Sequence, residues 1–129
     1  MAQDTLAKDE TFSCIAADKV AGTAVYNRTG EKLGSVDKVM IDKISGRVCY
    51  AVMSFGGFLG IGERYHPLPW DVLDYDTRKG GYVLDLTRKQ LEGAPTFARG
   101  ETPDYNDPVW GRKVHDYYGV TPWWPQPMG

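Results

Sequence analysis

The stretch with the clearest chemical possibilities is Gly56-Gly57-Phe58-Leu59-Gly60-Ile61-Gly62. Glycines at this density can gather backbone amides around an anion, as phosphate-binding loops do. The details argue against that use. Gly60-Ile61-Gly62 runs on into Glu63-Arg64-Tyr65, so the third glycine of a dinucleotide fingerprint is missing, and no Gly-Lys-Ser/Thr follows. Gly57-Phe58-Leu59-Gly60 fits the GxxG loop of KH domains in letters only, since that loop relies on basic central residues. Two readings remain open. The run is either a tight corner where glycines permit close backbone approach, or a docking tip that offers Phe58, Leu59 and Ile61 to a partner.

Other reactive groups are sparse. His66 lies among apolar strand residues and reads as structural, with Glu63 and Asp71 near enough in sequence to orient it. His115-Asp116 falls one position off an apolar helical stripe and is expected to face solvent. No serine or cysteine stands beside a base in a nucleophile motif. Asp37, Asp42, Asp74 and Asp76 fall at turns and strand ends, where aspartate is recruited for its own hydrogen bonding. Cys14 and Cys49 form no CxxC pair and have no His/Cys cluster around them, so a zinc site is not expected. Cys49 sits in a strand, where a thiol serves as a small buried hydrophobe. Phe12-Ser13-Cys14-Ile15 resembles a lipoprotein cleavage site but lacks the hydrophobic segment such a site needs. The expectation is a protein without catalytic residues, cofactor or metal.

Composition narrows the classes. The 129 residues fit one domain with a real core. The formal net charge of -2 gives no global field toward nucleic acid or an anionic membrane, so neither is expected as a partner. No apolar run reaches the roughly 18 residues needed to span a bilayer, and a cytoplasmic setting is expected.

The elements that hold these groups are short. Residues 1–12 are charged and poor in bulky apolar groups, which predicts disorder. Thr23–Tyr26, Gly34–Asp42, Arg47–Phe55, Arg64–Trp70, Val72–Tyr75 and Gly81–Leu84 read as strands separated by turn residues, the pattern of a small β-barrel. Both faces of Arg47–Phe55 are apolar or small, which places it centrally. The periodicity of Gly34–Asp42 slips near Asp37-Lys38, and a bulge there is favoured because Lys38 otherwise shares a face with Val36 and Met40. Pro67 and Pro69 predict an edge or closing strand. Thr87-Arg88-Lys89-Gln90 is a capping box opening a single helical turn. Phe97–Tyr105 reads as irregular linker. Asp107, Pro108 and Gly119 punctuate a second helix with the stripe Trp110, Val114, Tyr117, Tyr118. The ending Trp123-Trp124 is too aromatic for an idle tail and is expected to pack or to dock.

Taken in order, Gly34-x-Val36-x-x-Val39-x-x-Asp42, Ser45-Gly46-x-Val48-x-Tyr50, the Gly56–Gly62 run and Pro67-Leu68-Pro69-Trp70 resemble the PRC-barrel domain. That family includes the cytoplasmic part of the photosynthetic reaction-centre H subunit and the C-terminal domain of a ribosome-maturation factor. The resemblance spans about residues 13–97 and leaves 98–129 as a helical, aromatic-rich extension. It implies a mainly β, six-stranded barrel used as a docking module, with no catalytic residue to carry over. The sequence departs from the one relative in showing no membrane helix and from the other in showing no second domain, so neither relative's specific function is expected to transfer. The resulting expectation is a non-enzymatic protein-interaction module, serving a membrane-associated or electron-transfer assembly, with an RNA- or ribosome-linked binding domain as the alternative. Phe58, Leu59, Ile61, Trp123 and Trp124 are the expected docking residues, the partner protein being unidentified. A homodimer is expected, its aromatic tails forming part of the contact.

Overall fold

The computed structural model describes residues 15–55 and 64–122. A four-residue helix, α1 (Ala17–Val20), precedes β1 (Ala24–Tyr26), β2 (Lys32–Ile41), β3 (Val48–Phe55) and β4 (Arg64–Pro69). A 3-10 turn at Trp70–Val72 leads to β5 (Leu73–Asp76) and β6 (Gly81–Leu84), followed by α2 (Arg88–Glu92), β7 (Phe97–Ala98) and α3 (Pro108–Tyr118). The strands form one sheet in the order β5-β6-β1-β2-β3-β4-β7. All neighbours are antiparallel except β1 and β6, which run parallel. The six expected strands are present. The seventh, β7, is a two-residue rung inside the segment read as linker, and among the described residues no ladder joins β5 to β7.

The turns form for local reasons. Gly46 closes the β2–β3 turn at φ +77°, a left-handed conformation that side chains with a Cβ resist. Asp42 braces that turn, its carboxylate accepting from the Ile44 amide at 3.1 Å and the Ser45 hydroxyl at 2.9 Å. Asn27 braces the β1–β2 turn in the same way, accepting from the amides of Thr29 and Glu31. The capping box of α2 is complete, with Thr87 and Gln90 each bonding the other's backbone amide.

The bulge expected in β2 falls at Asp37. Val36 pairs with Met53, and the next rung joins Lys38 to Val52. The extra residue turns Val39 to the same side as Val36 while Lys38 goes to the other. On β3, Ala51, Met53 and Phe55 enter the main core with Val25, Val36, Leu68 and Leu84. Tyr50 lies on the opposite face, in a second cluster with Cys49 and Val114. Pro67 and Pro69 pair with Val52 and Tyr50 on that outer face, and β4 is bonded on its far side only at Arg64 and Tyr65. The prolines therefore occupy the part of β4 whose second edge is open among the described residues, where a missing N–H costs no ladder bond.

Gly34 marks the tightest strand contact. A Cβ built there would lie 2.1 Å from the Ser54 carbonyl oxygen, which is backbone and cannot swing aside. Gly34→Ala should force the β2–β3 ladder apart and cost about 1–3 kcal/mol, as overpacking does. Urea denaturation checks this, and an unchanged midpoint would show that the ladder relaxes freely there.

Candidate docking site

The glycine loop springs from a firm base. Phe55 and Arg64 are paired across β3 and β4, so residues 56–63 link adjacent strands at hairpin spacing. Phe55 meets the buried His66 ring edge-on at 5.2 Å, and the Arg88 guanidinium lies 5.3 Å from the Phe55 ring centre. Arg88 also donates to Glu31 at 2.9 Å and to the Lys32 carbonyl at 2.9 Å. That bond from Arg88 holds the Glu31 carboxyl below its ordinary range. Beside the base, Arg64 donates to Thr96 and Tyr65 stacks on Phe97 at 5.6 Å. Phe58, Leu59 and Ile61 themselves lie outside the described residues, as do Trp123, Trp124 and Cys14.

The second face of β3 is covered by α3. The helix is capped as its sequence predicts, with the Asp107 side chain accepting from Val109 and Gly119 at φ +71°. Its buried stripe is rotated from the expected one. Gly111, Val114 and His115 are buried, and Tyr118 is half-buried, whereas Tyr117 is 42% exposed. Spacings of three, four and seven residues join these positions, so the stripe is a proper helical face once glycine and histidine are admitted to it. His115, expected in solvent, is 2% exposed. Its Nδ1 donates to the Gly111 carbonyl at 2.8 Å and its ring meets Tyr50 edge-on at 5.5 Å. Tyr117 keeps a structural role from the surface, donating to the Gln90 carbonyl at 2.5 Å.

Tyr50 is the hub of an aromatic group, 5.8 Å from Tyr105 and 5.5 Å from Trp110 between ring centres. The hydroxyls of Tyr50 and Tyr105 are buried without a hydrogen-bond partner among the described residues. Burial raises the pKa of both phenols, which keeps them protonated. Beside them opens a cleft of about 540 Å³ between the β2–β3 hairpin end and residues 103–106. Met40, Ile41, Ile44, Tyr50, Pro103 and Tyr105 supply its apolar lining. Ile44 is 97% exposed at the hairpin tip and Ile41 46% exposed beside it.

This arrangement suits binding. Among the described residues no three His, Cys, Asp or Glu side chains gather as a metal site, and no helix is long and apolar enough to cross a membrane. Cys49 lines the cleft wall, and burial pushes its thiol above the ordinary value, away from the thiolate a nucleophile needs. Asp37, Asp42, Asp74 and Asp76 do not converge. Asp42 and Asp76 brace turns, and Asp74 pairs with Arg28 at 3.2 Å. The cleft itself escaped sequence reasoning. The signal was Ile44, an aliphatic residue inside an otherwise polar turn.

Residues 15–91 match the PRC-barrel domain. No curated protein matches the chain. Thirty chains of solved structures do. One is the crystal structure of a candidate 16S ribosomal RNA processing protein, RimM, from Pseudomonas aeruginosa, with 18% identity and a TM-score of 0.36. The alignment covers 65% of this chain and 50% of that one, so this chain spans about half that protein's length.

Burial, reinforced by the charge of Arg64, pulls the His66 pKa down to about 4. The native state thus binds fewer protons than the unfolded state between the unfolded value near 6.5 and 4, and stability rises with pH across that window. Acidifying from pH 7 to 4 should remove stability with a slope of up to about 1.4 kcal/mol per pH unit from this residue. His66→Leu should flatten the fall between pH 6.5 and about 5.5, above the range where most carboxylates titrate. Urea titrations at several pH values report it, and an equally steep fall in the variant would assign the effect elsewhere.

Proposed function

The chain belongs to the PRC-barrel domain family, and from that premise we propose that it is a non-enzymatic docking module for protein partners. The observation that carries this reading is the paired rung of Phe55 and Arg64, which presents a loop with three apolar side chains between two adjacent strands. In this reading Phe58, Leu59 and Ile61, with Trp123 and Trp124, form the contact with the partner. Of these, Phe58 is expected to carry the contact and Leu59 chiefly the loop's own stability. The setting is cytoplasmic, at a membrane-associated or electron-transfer assembly. The acidic net charge of -2 weighs against RNA as the partner.

Phe58→Ser and Leu59→Ser separate docking from architecture. Leu59→Ser should cost about 2–5 kcal/mol, as large-to-small core changes do. Phe58→Ser should stay within about 0.5 kcal/mol, as surface changes do, and lose the partners that wild type captures from native extract. Equal, large losses would make the loop purely architectural. Captured material that nuclease treatment abolishes would favour an RNA-linked role instead.

The aromatic tail also supports a two-fold homodimer, since Trp123 and Trp124 extend the chain beyond a helix whose inner face is already filled by Val114 and His115. Sedimentation at micromolar concentration should show twice the 14.4 kDa chain mass. A single monomeric boundary would remove the dimer from this proposal.

A further inference from the structure

We propose that the cleft between the β2–β3 hairpin end and residues 103–106 is a peptide-binding site that takes a bulky apolar side chain flanked by Lys or Arg. The inference rests on the docking reading and places one contact of that function among the described residues.

Size and lining define the central side chain. About 540 Å³ falls in the range of sites that bury a ligand group, and the walls are mainly aliphatic and aromatic. Ile44 at 97% exposure and Ile41 at 46% form an apolar lip that folding alone leaves in water. A partner side chain laid between that lip and Tyr105 would cover both. Behind it, the Tyr50 and Tyr105 side chains back the cleft, their hydroxyls closed off from solvent.

Charge decides the flanks and the occupant. The carboxylates of Asp42 and Asp104 stand on the rim against one ammonium, Lys43. The turn hydrogen bonds from Ile44 and Ser45 lower the Asp42 pKa and keep it charged. Beyond the rim, Asp37 acts on Tyr105, and a further cation, Arg47, pairs with Asp71 at 3.6 Å. The rim is therefore acidic. A second copy of the chain would bring the same acidic rim against it, whereas flanking cations meet opposite charge on both sides. Nucleic acid is disfavoured on the same ground.

Acetyl-Arg-Leu-Arg-amide and acetyl-Glu-Leu-Glu-amide, titrated into the full chain and followed by amide NMR, test the proposal. The cationic peptide should shift resonances of residues 40–50 and 103–106 and saturate in the millimolar range. The anionic peptide should bind about tenfold more weakly or worse. Salt should weaken the cationic complex. Ile44→Lys alters an exposed side chain, and Asp104→Asn removes a charge while keeping the Oδ1 acceptor for the Asn106 amide, so both variants should keep the wild-type melting temperature and lose the response. Equal response to both peptides, shifts elsewhere, or variants that bind as wild type would each overturn the site. Concentration-dependent shifts at these residues without peptide, abolished by Ile44→Lys, would assign the cleft to self-association and also overturn it. If native partners are captured equally by wild type and Ile44→Lys, the docking function stands and the cleft does not. Peptide binding here with no partner captured by wild type would uphold the cleft and count against the docking function.

Discussion

Two-sided burial of β3 is the constraint on which the rest of the fold depends. Tyr50, Ala51, Val52 and Met53 are each within 1% of complete burial, on alternating faces of one strand. A two-layer sheet would cover only one of those faces, so a second cover is required. The main core supplies one and α3 the other. Each large side chain buried in this way contributes about 1.5–3 kcal/mol relative to exposure. The outer cover is therefore a sizeable part of the marginal stability of a domain this small. The C-terminal helix is accordingly a wall of the folded unit, packed on Tyr50 through Val114 and His115.

The outer cover also carries a cost. Tyr50, Tyr105 and Tyr118 each bury a hydroxyl without a hydrogen-bond partner among the described residues, where an unmet donor costs about 1–3 kcal/mol. Their rings offset this through burial and edge-on contacts, Tyr105 with Trp110, Tyr50 with His115 and Tyr118 with Tyr117.

Local signals made much of the fold legible. Gly46, Gly80 and Gly119 each took the positive φ that their turn or cap demands. Lys38 betrayed the bulge, because a charged residue in phase with Val36 has no place in the core. The side chains of Thr87 and Gln90 announced α2. What stayed hidden depends on distant partners. His115 gives no local sign that Tyr50 will cover it, and Gly111 none that its carbonyl will accept the histidine N–H. The strand β7 consists of two residues, too few for periodicity to register, and exists because Tyr65 finds Phe97 across the gap. The cleft was invisible for a similar reason: its walls come from segments more than fifty residues apart.

The rung of Phe55 and Arg64 has one more consequence, for how such a chain can vary. It clamps both ends of an eight-residue excursion, 56–63, at the spacing of paired strands. The excursion is closed by bonds that do not belong to it, and closure entropy grows only slowly, by about 0.6 kcal/mol for each doubling of loop length. Phe55 is fixed by His66 and Arg88, and Arg64 by Thr96, whatever lies between. That position is a port in the scaffold. Added residues there carry only a small closure penalty, so the excursion can lengthen while the sheet beneath it stays the same.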